Sequence, residues 1–301
     1  MKHSMSRTLM ETGLVVYIAV LGLTSPAFSQ AAEASRVLRA SGYVTAVASA
    51  IFRSSFERPI QFADSARHFF VGADNDYDWR TIAHYINYVG GKVGDDVDLN
   101  IATNRAHSGN RSLYLAIYRI SGSPPHRVQL QLNARTERKL YTSVWYYFPA
   151  TFSLPRDNKA WLIIDETWET GDAYQIKFEL KVKRHTNGDY YWQLIGARAF
   201  NYGNLTTIWG PYENTDSDLP RGRWFHLEQY QTRSQNDGTV TYWINDRLLF
   251  NVTRVRTEYY RNNSYIRHAI KLYAGNEGSD NTPYYCWADD LEVRAGMPPE
   301  T

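Results

Sequence analysis

Cysteine is nearly missing, since Cys286 is the only one in 301 residues. An intramolecular disulfide is therefore impossible, and C-x-x-C redox chemistry and cysteine-built metal sites are excluded with it. A large exported domain can do without a disulfide because its core supplies the stability. Cys286 stands between Tyr285 and Trp287 in an apolar run. That setting makes a buried, inert thiol, because nothing nearby lowers its pKa. Excess charge of one sign is also lacking. The 33 basic and 31 acidic residues leave a net charge of +2, so nothing points to nucleic acid or a strongly charged membrane surface. Glycine (19) and proline (11) are too few for a collagen-like or low-complexity chain. The apolar stretch from Gly13 to Leu23 is too short for a comfortable membrane-spanning helix, which needs about 20 residues. Gly-rich phosphate loops, a Ser-His-Asp pattern and H-E-x-x-H do not occur.

Aromatic residues are abundant, at 15 %, within a hydrophobic share of 43 %. Such a chain is too apolar to be disordered. Lys2 and Arg7 precede the Gly13–Leu23 stretch, and Ala27-Phe28-Ser29 is a small-x-small cleavage site. Residues 1–29 therefore read as a signal peptide, with an uncleaved N-terminal anchor as the alternative. The mature protein is expected to be secreted or periplasmic, with no membrane association after cleavage. Residues 30–60 form an N-terminal segment in which 43–52 (YVTAVASAIF) fits either a short helix or a strand. Residues 61–296 read as one domain and 297–301 as a tail. Within the domain, 73–79 and 94–98 are acidic and loop-like.

From about residue 112 the pattern is constant. Short runs of Tyr, Val, Ile, Leu, Phe and Trp alternate with Gly, Asn, Asp and Pro clusters. Candidate strands are 112–119, 127–133, 140–148, 160–167, 173–183, 190–198, 224–231, 239–244, 247–252, 267–274 and 285–293. In 173–183, Tyr174, Ile176, Phe178, Leu180 and Val182 share one face, and Gln175, Lys177, Glu179, Lys181 and Lys183 the other. Period two marks a half-buried antiparallel strand. Asn187-Gly188 is a strong hairpin signal, because a type I′ turn needs positive φ at both central residues. Asp237-Gly238 and Asn245-Asp246 are further turns. Helical periodicity is missing after residue 112. This predicts an all-β sandwich or jelly roll of two antiparallel sheets.

Three segments together resemble the concanavalin A-like lectin/glucanase superfamily. They are Trp224–Tyr230 with Asp237-Gly238 and Tyr242–Leu249, then Ile270–Tyr273, then Trp287–Val293. The resemblance covers roughly residues 110–295 and departs at Asn245-Asp246, where the family usually has Asp-Gly. It implies a concanavalin A-like jelly roll with a concave groove. Lectins, glycoside hydrolases, polysaccharide lyases and laminin-G-like modules share that fold, so activity has to be argued from the site.

Several sites compete. Asn133–Arg138 resembles the Arg-Thr/Ser-Glu-x-Arg element of alginate-type lyases of this fold. Those enzymes abstract the proton α to a uronate carboxylate and need a group that neutralises it. The resemblance makes Arg135 the neutraliser and Tyr273 the catalytic tyrosine, with Lys271 on the same face and His226 and Tyr230 on a neighbouring strand. The same Arg135 and Arg138 also fit a charged turn with Glu137, and no Gln-x-His element is present. A glycoside hydrolase would instead use Asp165 and Glu169, which share a face of a regular strand. A non-catalytic lectin-like or laminin-G-like module would stack sugars on rings. Substrate-binding candidates are Trp145, Tyr147, Trp161, Trp168, Trp192 and Glu228, with Trp209 as a further ring. A cell-surface structural protein is a third possibility. The lyase is the favoured expectation, acting on a polysaccharide or oligosaccharide as a monomer. Elimination requires no cofactor. The resemblance places a structural Ca²⁺ at Asp289, and Asp74-x-Asp76-x-Asp78 starts like a calcium loop but has Trp79 where an EF-hand has Gly.

Overall fold

The computed structural model describes residues 50–57, 61–62, 69–70, 85–86, 97–118, 127–134, 137–157, 159–170, 176–200, 204–259, 265–275 and 283–298. The signal segment, the Asp74–Asp78 loop and Arg135 lie outside the described residues. Among the described residues there is no helix. The strands are β1 (Ala50–Ser54), β2 (Gln61–Phe62), β3 (Phe69–Phe70), β4 (Tyr85–Ile86), β5 (Val97–Ala102), β6 (Ser112–Ile117), β7 (Arg127–Ala134), β8 (Lys139–Tyr147) and β9 (Trp161–Thr170). They continue with β10 (Lys177–Arg184), β11 (Tyr190–Phe200), β12 (Asn204–Asn214), β13 (Trp224–Thr232), β14 (Gly238–Ile244), β15 (Arg247–Val255), β16 (Tyr265–Gly275) and β17 (Tyr284–Arg294).

An eight-stranded antiparallel sheet runs β15-β14-β13-β8-β17-β6-β5, and β1 pairs with the far half of β17. A seven-stranded antiparallel sheet runs β12-β11-β10-β9-β16-β7-β4. β2 and β3 pair separately. Each sheet contributes one set of alternating side chains to a shared core. Phe178, Leu180 and Val182 of β10 fill it from one side, with Ile270, Leu272 and Ala274 of β16. Phe225 and Leu227 of β13 and Cys286 and Ala288 of β17 face them from the other. The all-β sandwich of two antiparallel sheets matches the sequence expectation. β1 lies in the segment 30–60 that the sequence set apart, yet through β17 it is part of the sandwich.

The turns follow local chemistry. Asn245 and Asp246 take φ of 48° and 65°, so the pair supplies the two positive φ values that Asp-Gly would otherwise provide. Asn245 adds a clamp: its Oδ1 accepts the His226 N–H at 2.8 Å. Gly188, at φ 106°, closes the β10–β11 hairpin, where its N–H donates to His185 O at 3.0 Å.

One irregularity decides the site. The pairing of β9 slips between Ile163 and Asp165 against both neighbours. Leu162 and Ile164 point into the core. Past the bulge the alternation is inverted, as an extra residue must do. Asp165, Thr167 and Glu169 therefore face inward, and Glu166 and Trp168 face outward.

Candidate active-site face

The outer face of the seven-stranded sheet carries the side chains opposite to the core set. On β7 these are Arg127, Gln129 and Gln131, and on β16 Ala269, Lys271 and Tyr273. β9 gives Trp161, Ile163, Glu166 and Trp168, and β10 gives Lys177, Glu179, Lys181 and Lys183. Their rows follow from the register. Arg127, Tyr273, Ile163, Lys181 and Gln193 lie abreast across five strands. The next row holds Gly275, Trp161, Lys183 and Tyr191. The row on the other side pairs Glu166 with Glu179 and with Ala269.

This face is recessed. Lys271 is 0 % exposed, Glu179 5 % and Glu166 6 %, although all three point away from the core. Buried charges must be compensated, and they are. The Lys271 ammonium contacts Glu166. The Lys177 ammonium contacts Glu179 and lies 3.5 Å from Glu166, and Lys181 reaches Glu179 at 3.0 Å. Lys177 and Lys181 hold the Glu179 carboxyl below its usual range against the opposing effect of burial. Burial, aided by the Arg127 guanidinium, pulls Lys271 well below the usual lysine value.

Not every buried polar atom of this face has a hydrogen-bond partner. Arg127 Nε is buried without a hydrogen-bond partner among the described residues, as is Gln129 Oε1. The Arg127 guanidinium lies 5.5 Å from the Tyr273 ring centre, and Lys271 Nζ lies 5.4 Å from the same centre. Trp161 meets Tyr273 edge-on at 5.2 Å. The phenol thus has two cations within 5.5 Å of its ring centre, Lys271 and Arg127, and the unpartnered Gln129 oxygen lies two residues along the strand from Arg127.

The structure divides the sequence candidates among three places. Lys271, Tyr273, Trp161 and Trp168 come together on the recessed face. Asp165 and Glu169 lie inside the sandwich because of the β9 bulge, and the hydrolase assignment fails there for lack of access. Asp165 Oδ1 accepts the Tyr242 hydroxyl at 2.7 Å, and His268 Nε2 is 3.3 Å from Oδ2. Thr167 Oγ1 is 3.2 Å from His268 Nδ1 and accepts Gln229 Nε2 at 3.2 Å. Glu169 accepts the Tyr259 N–H at 2.7 Å and faces Arg233. Trp192 is likewise not a groove ring, because its position on β11 turns it into the core with Leu194, and Trp209 joins the same cluster.

The third place is the outer face of the eight-stranded sheet. His226, Glu228 and Tyr230 project there from β13, and Trp145 and Tyr147 from β8, since Phe225, Leu227, Val144 and Tyr146 take the core positions. These five cannot meet a substrate bound at Tyr273, because two sheets and the core intervene. They have local partners instead. Trp145 stacks with His107 at 3.8 Å and with His226 at 4.9 Å. Arg105 lies 3.8 Å over Tyr147. Glu228 accepts the Tyr141 hydroxyl at 2.7 Å.

Asp289 lies on the same outer face. Its Oδ2 accepts the N–H groups of His107 and Ser108 at 2.8 and 3.2 Å, and its Oδ1 accepts the Asp290 N–H at 2.8 Å. Calcium needs a shell of oxygens, whereas N–H donors fill the positions a cation would take. Among the described residues no group of three His, Cys, Asp or Glu is placed to hold a metal. The arrangement does not fit a calcium site at Asp289.

Sequence reasoning missed Arg127, Gln129, Glu166 and Glu179. Glu179 was visible on the polar face of 173–183, and Arg127 shares parity with Gln129 on a strand beside Tyr273. The signal was there, but not the knowledge of which sheet each strand joins.

No protein-family model matches the sequence, and no curated protein matches it. The fold is shared with solved structures. An endo-β-1,4-glucuronan lyase from the fungus Trichoderma reesei superposes with a TM-score of 0.50 at 12 % identity, over 70 % of this chain and 90 % of that one. An alginate lyase from Chlorella virus gives 0.45 at 12 % identity, over 64 % and 88 %. A β-glucanase catalytic domain from Podospora anserina gives 0.45 at 12 % identity, over 73 % and 89 %. At this identity the likeness is one of fold. With its two antiparallel sheets the chain is a jelly roll of the lectin/glucanase-like type.

Proposed function

We propose that this protein is an exported polysaccharide lyase that cleaves a uronate-containing glycan by β-elimination on the recessed face of the seven-stranded sheet. The observation that carries the reading is Arg127, a half-buried cation whose buried Nε has no hydrogen-bond partner among the described residues, beside the Tyr273 phenol. A uronate carboxylate would satisfy that guanidinium in bidentate fashion. Neutralising the carboxylate acidifies the proton α to it and stabilises the enolate that forms when the proton leaves. Gln129 is placed to bond the same carboxyl when it is protonated or enolic. Tyr273 is the proton-transfer group. The α proton passes to the Tyr273 oxygen as its bond to carbon breaks, the electron pair forms a double bond to the β carbon, the bond from the β carbon to the glycosidic oxygen breaks, and that oxygen takes the proton from Tyr273 as it leaves. The polysaccharide lyase and β-glucanase among the structural neighbours agree with a carbohydrate-active role.

Electrostatics favours elimination over hydrolysis. Glu166 and Glu179 are opposed across β9 and β10, and a glycosidase needs one such carboxyl protonated as general acid. Lys177 and Lys181 hold Glu179 in the ionised form, which removes it from that role.

Purified protein incubated with polymers of glucuronate, mannuronate and guluronate is expected to produce the ultraviolet absorbance of unsaturated uronates. Tyr273→Phe should abolish it. Arg127→Ala should lower kcat/KM by about 10²–10³, the usual cost of losing one oxyanion donor. Reducing ends without unsaturation would replace the reading with hydrolysis, and retention of glycan without turnover would replace it with a lectin-like module.

A further inference from the structure

The chemistry assigned above occupies only Arg127, Gln129 and Tyr273, at one side of the recessed face. Its cations continue well beyond them. Lys181 and Lys183 project from β10 in the two rows that begin at Arg127–Tyr273 and Gly275–Trp161. Lys181 Nζ lies 5.0 Å from the Trp161 ring centre, and Lys183 Nζ lies 5.8 Å from that of Tyr191. His185, just past the end of β10, stacks on Tyr191 at 4.1 Å. Two acidic side chains of the floor, Glu166 and Glu179, lie in the neighbouring row and are held by Lys177, Lys181 and Lys271, and a third, Glu213 at the β12 end of the Lys181 row, accepts Gln193 Nε2 at 2.9 Å. Lys183 makes no ion pair among the described residues. The face thus has a neutralised row at Glu166 and Glu179 and, beside it, two rows that carry Arg127, Lys183 and the Trp161 and Tyr191 rings, with Lys181 shared between Glu179 and the Trp161 ring.

The direction of those two rows carries information. They cross the strands, passing from β7 over β16 and β9 to β10 and β11. Neighbouring strands are about 4.8 Å apart, so Arg127 and Lys183 are three spacings, or about 14 Å, apart measured across the strands. An extended glycan laid across the strands would meet a new strand about once per sugar. Anionic groups repeated along such a chain would meet Arg127 first and then the β10 lysines.

We propose that Lys183, with Lys181, His185 and the Trp161 ring, forms an extended binding track for consecutive acidic sugars of one polymer, running across the strands away from Tyr273. It rests on the reading of Tyr273 and Arg127 as the reacting centre. The track sets the preferred chain length and makes cleavage endolytic, because a sugar must occupy the β10 side when a bond is broken at Tyr273. Lys183 and His185 hold sugars remote from the reacting atoms, so their contribution is to binding.

Calorimetric titration of the Tyr273→Phe chain with oligouronates of increasing length tests the track without turnover. Affinity should rise with each added sugar until about four are bound, the number that the strand spacing allows. Lys183→Ala in the same background should collapse the ratio of long-chain to short-chain affinity by at least about tenfold, the usual worth of a charge-assisted contact. Neutral glucan oligomers of matched length should gain little. Lys183→Gln, with Tm recorded beside it, controls for misfolding, and should behave like the alanine variant at an unchanged Tm. An affinity independent of chain length, or a Lys183 effect equal at all lengths, overturns the track. If the unaltered protein still releases unsaturated products in that case, the lyase assignment stands without it. If the length dependence is present but no product forms, the track stands and the lyase assignment falls.

Discussion

Asp289 shows how one carboxylate can be read in two opposite ways. As a calcium ligand it would stabilise the protein only with metal bound. As the acceptor of three backbone N–H groups it locks the 105–108 loop to the start of the β17 bulge with no metal. Burial, with Asp290 beside it, pushes its pKa up from 3.8 to about 6 despite those bonds. A raised folded value means that its stabilising contribution is complete below 3.8 and is lost as pH rises through about 6. Asp289→Asn keeps the shape and an acceptor oxygen but sheds the charge. It should raise Tm at about pH 8 and leave it nearly unchanged at about pH 4. A chelator should leave the Tm of the unaltered protein in place. A metal ligand would give the reverse in both measurements. His268 provides the acid-side counterpart. Burial holds its imidazole below the ordinary 6.5, against the pull of Asp165. The unfolded chain therefore binds the proton first, and stability present above 6.5 is lost as pH falls. Tm should decline below that point, and His268→Asn should flatten the decline. An acid limb unchanged in the variant would move its origin elsewhere.

At the scale of the element, the strands most legible in sequence were those with one apolar and one polar face. β10 is the clearest case: Phe178, Leu180 and Val182 are core, as period two requires. β12 was missed. Its residues include Thr206, Thr207, Gly210 and Pro211, and it is a sheet edge with Leu205, Ile208 and Tyr212 exposed, so the single buried ring of Trp209 gives it no alternating buried face. The site was half legible for a related reason. Alternation identifies which residues share a face of one strand, but not which sheet the strand joins. Lys271 and Tyr273, expected on one face, do share one, while His226 and Tyr230 lie on the outer face of the other sheet. The β9 bulge was invisible altogether, and it exchanges Asp165 for Glu166 on the outer face. Close packing of strand glycines against tryptophan rings makes this testable. Gly275 lies against Trp161, and a methyl group there would overlap the ring; Gly196 does the same beneath Trp209. Each Gly→Ala change should cost about 1–3 kcal/mol through overpacking. Only Gly275→Ala should also raise KM on a uronate polymer, since Trp161 borders the recessed face and Trp209 lies in the core. Equal KM values for the two variants would remove Trp161 from substrate contact.

For the whole molecule, the scarcity of net charge becomes a constraint on how an acidic glycan is held. A protein at +2 over 301 residues has no long-range field to draw in a polyanion, so attraction must come from the strip containing Arg127, Lys181 and Lys183. Charges at the surface are screened once the Debye length contracts from about 30 Å at 0.01 M salt to about 8 Å at 0.15 M. Charges in a recessed, partly desolvated face are screened far less. The two sources thus differ in salt response. Steering by total charge would make association fall steeply with ionic strength, whereas contacts inside the face leave most of the affinity in place. KM for a uronate polymer is therefore expected to rise only a fewfold over that salt range, with kcat unchanged. Lys183→Ala should raise KM at every salt concentration and leave the slope against salt nearly as it was. A steep slope in the unaltered protein, abolished in the variant, would mean that Lys183 acts as an exposed steering charge and does not sit in the binding face.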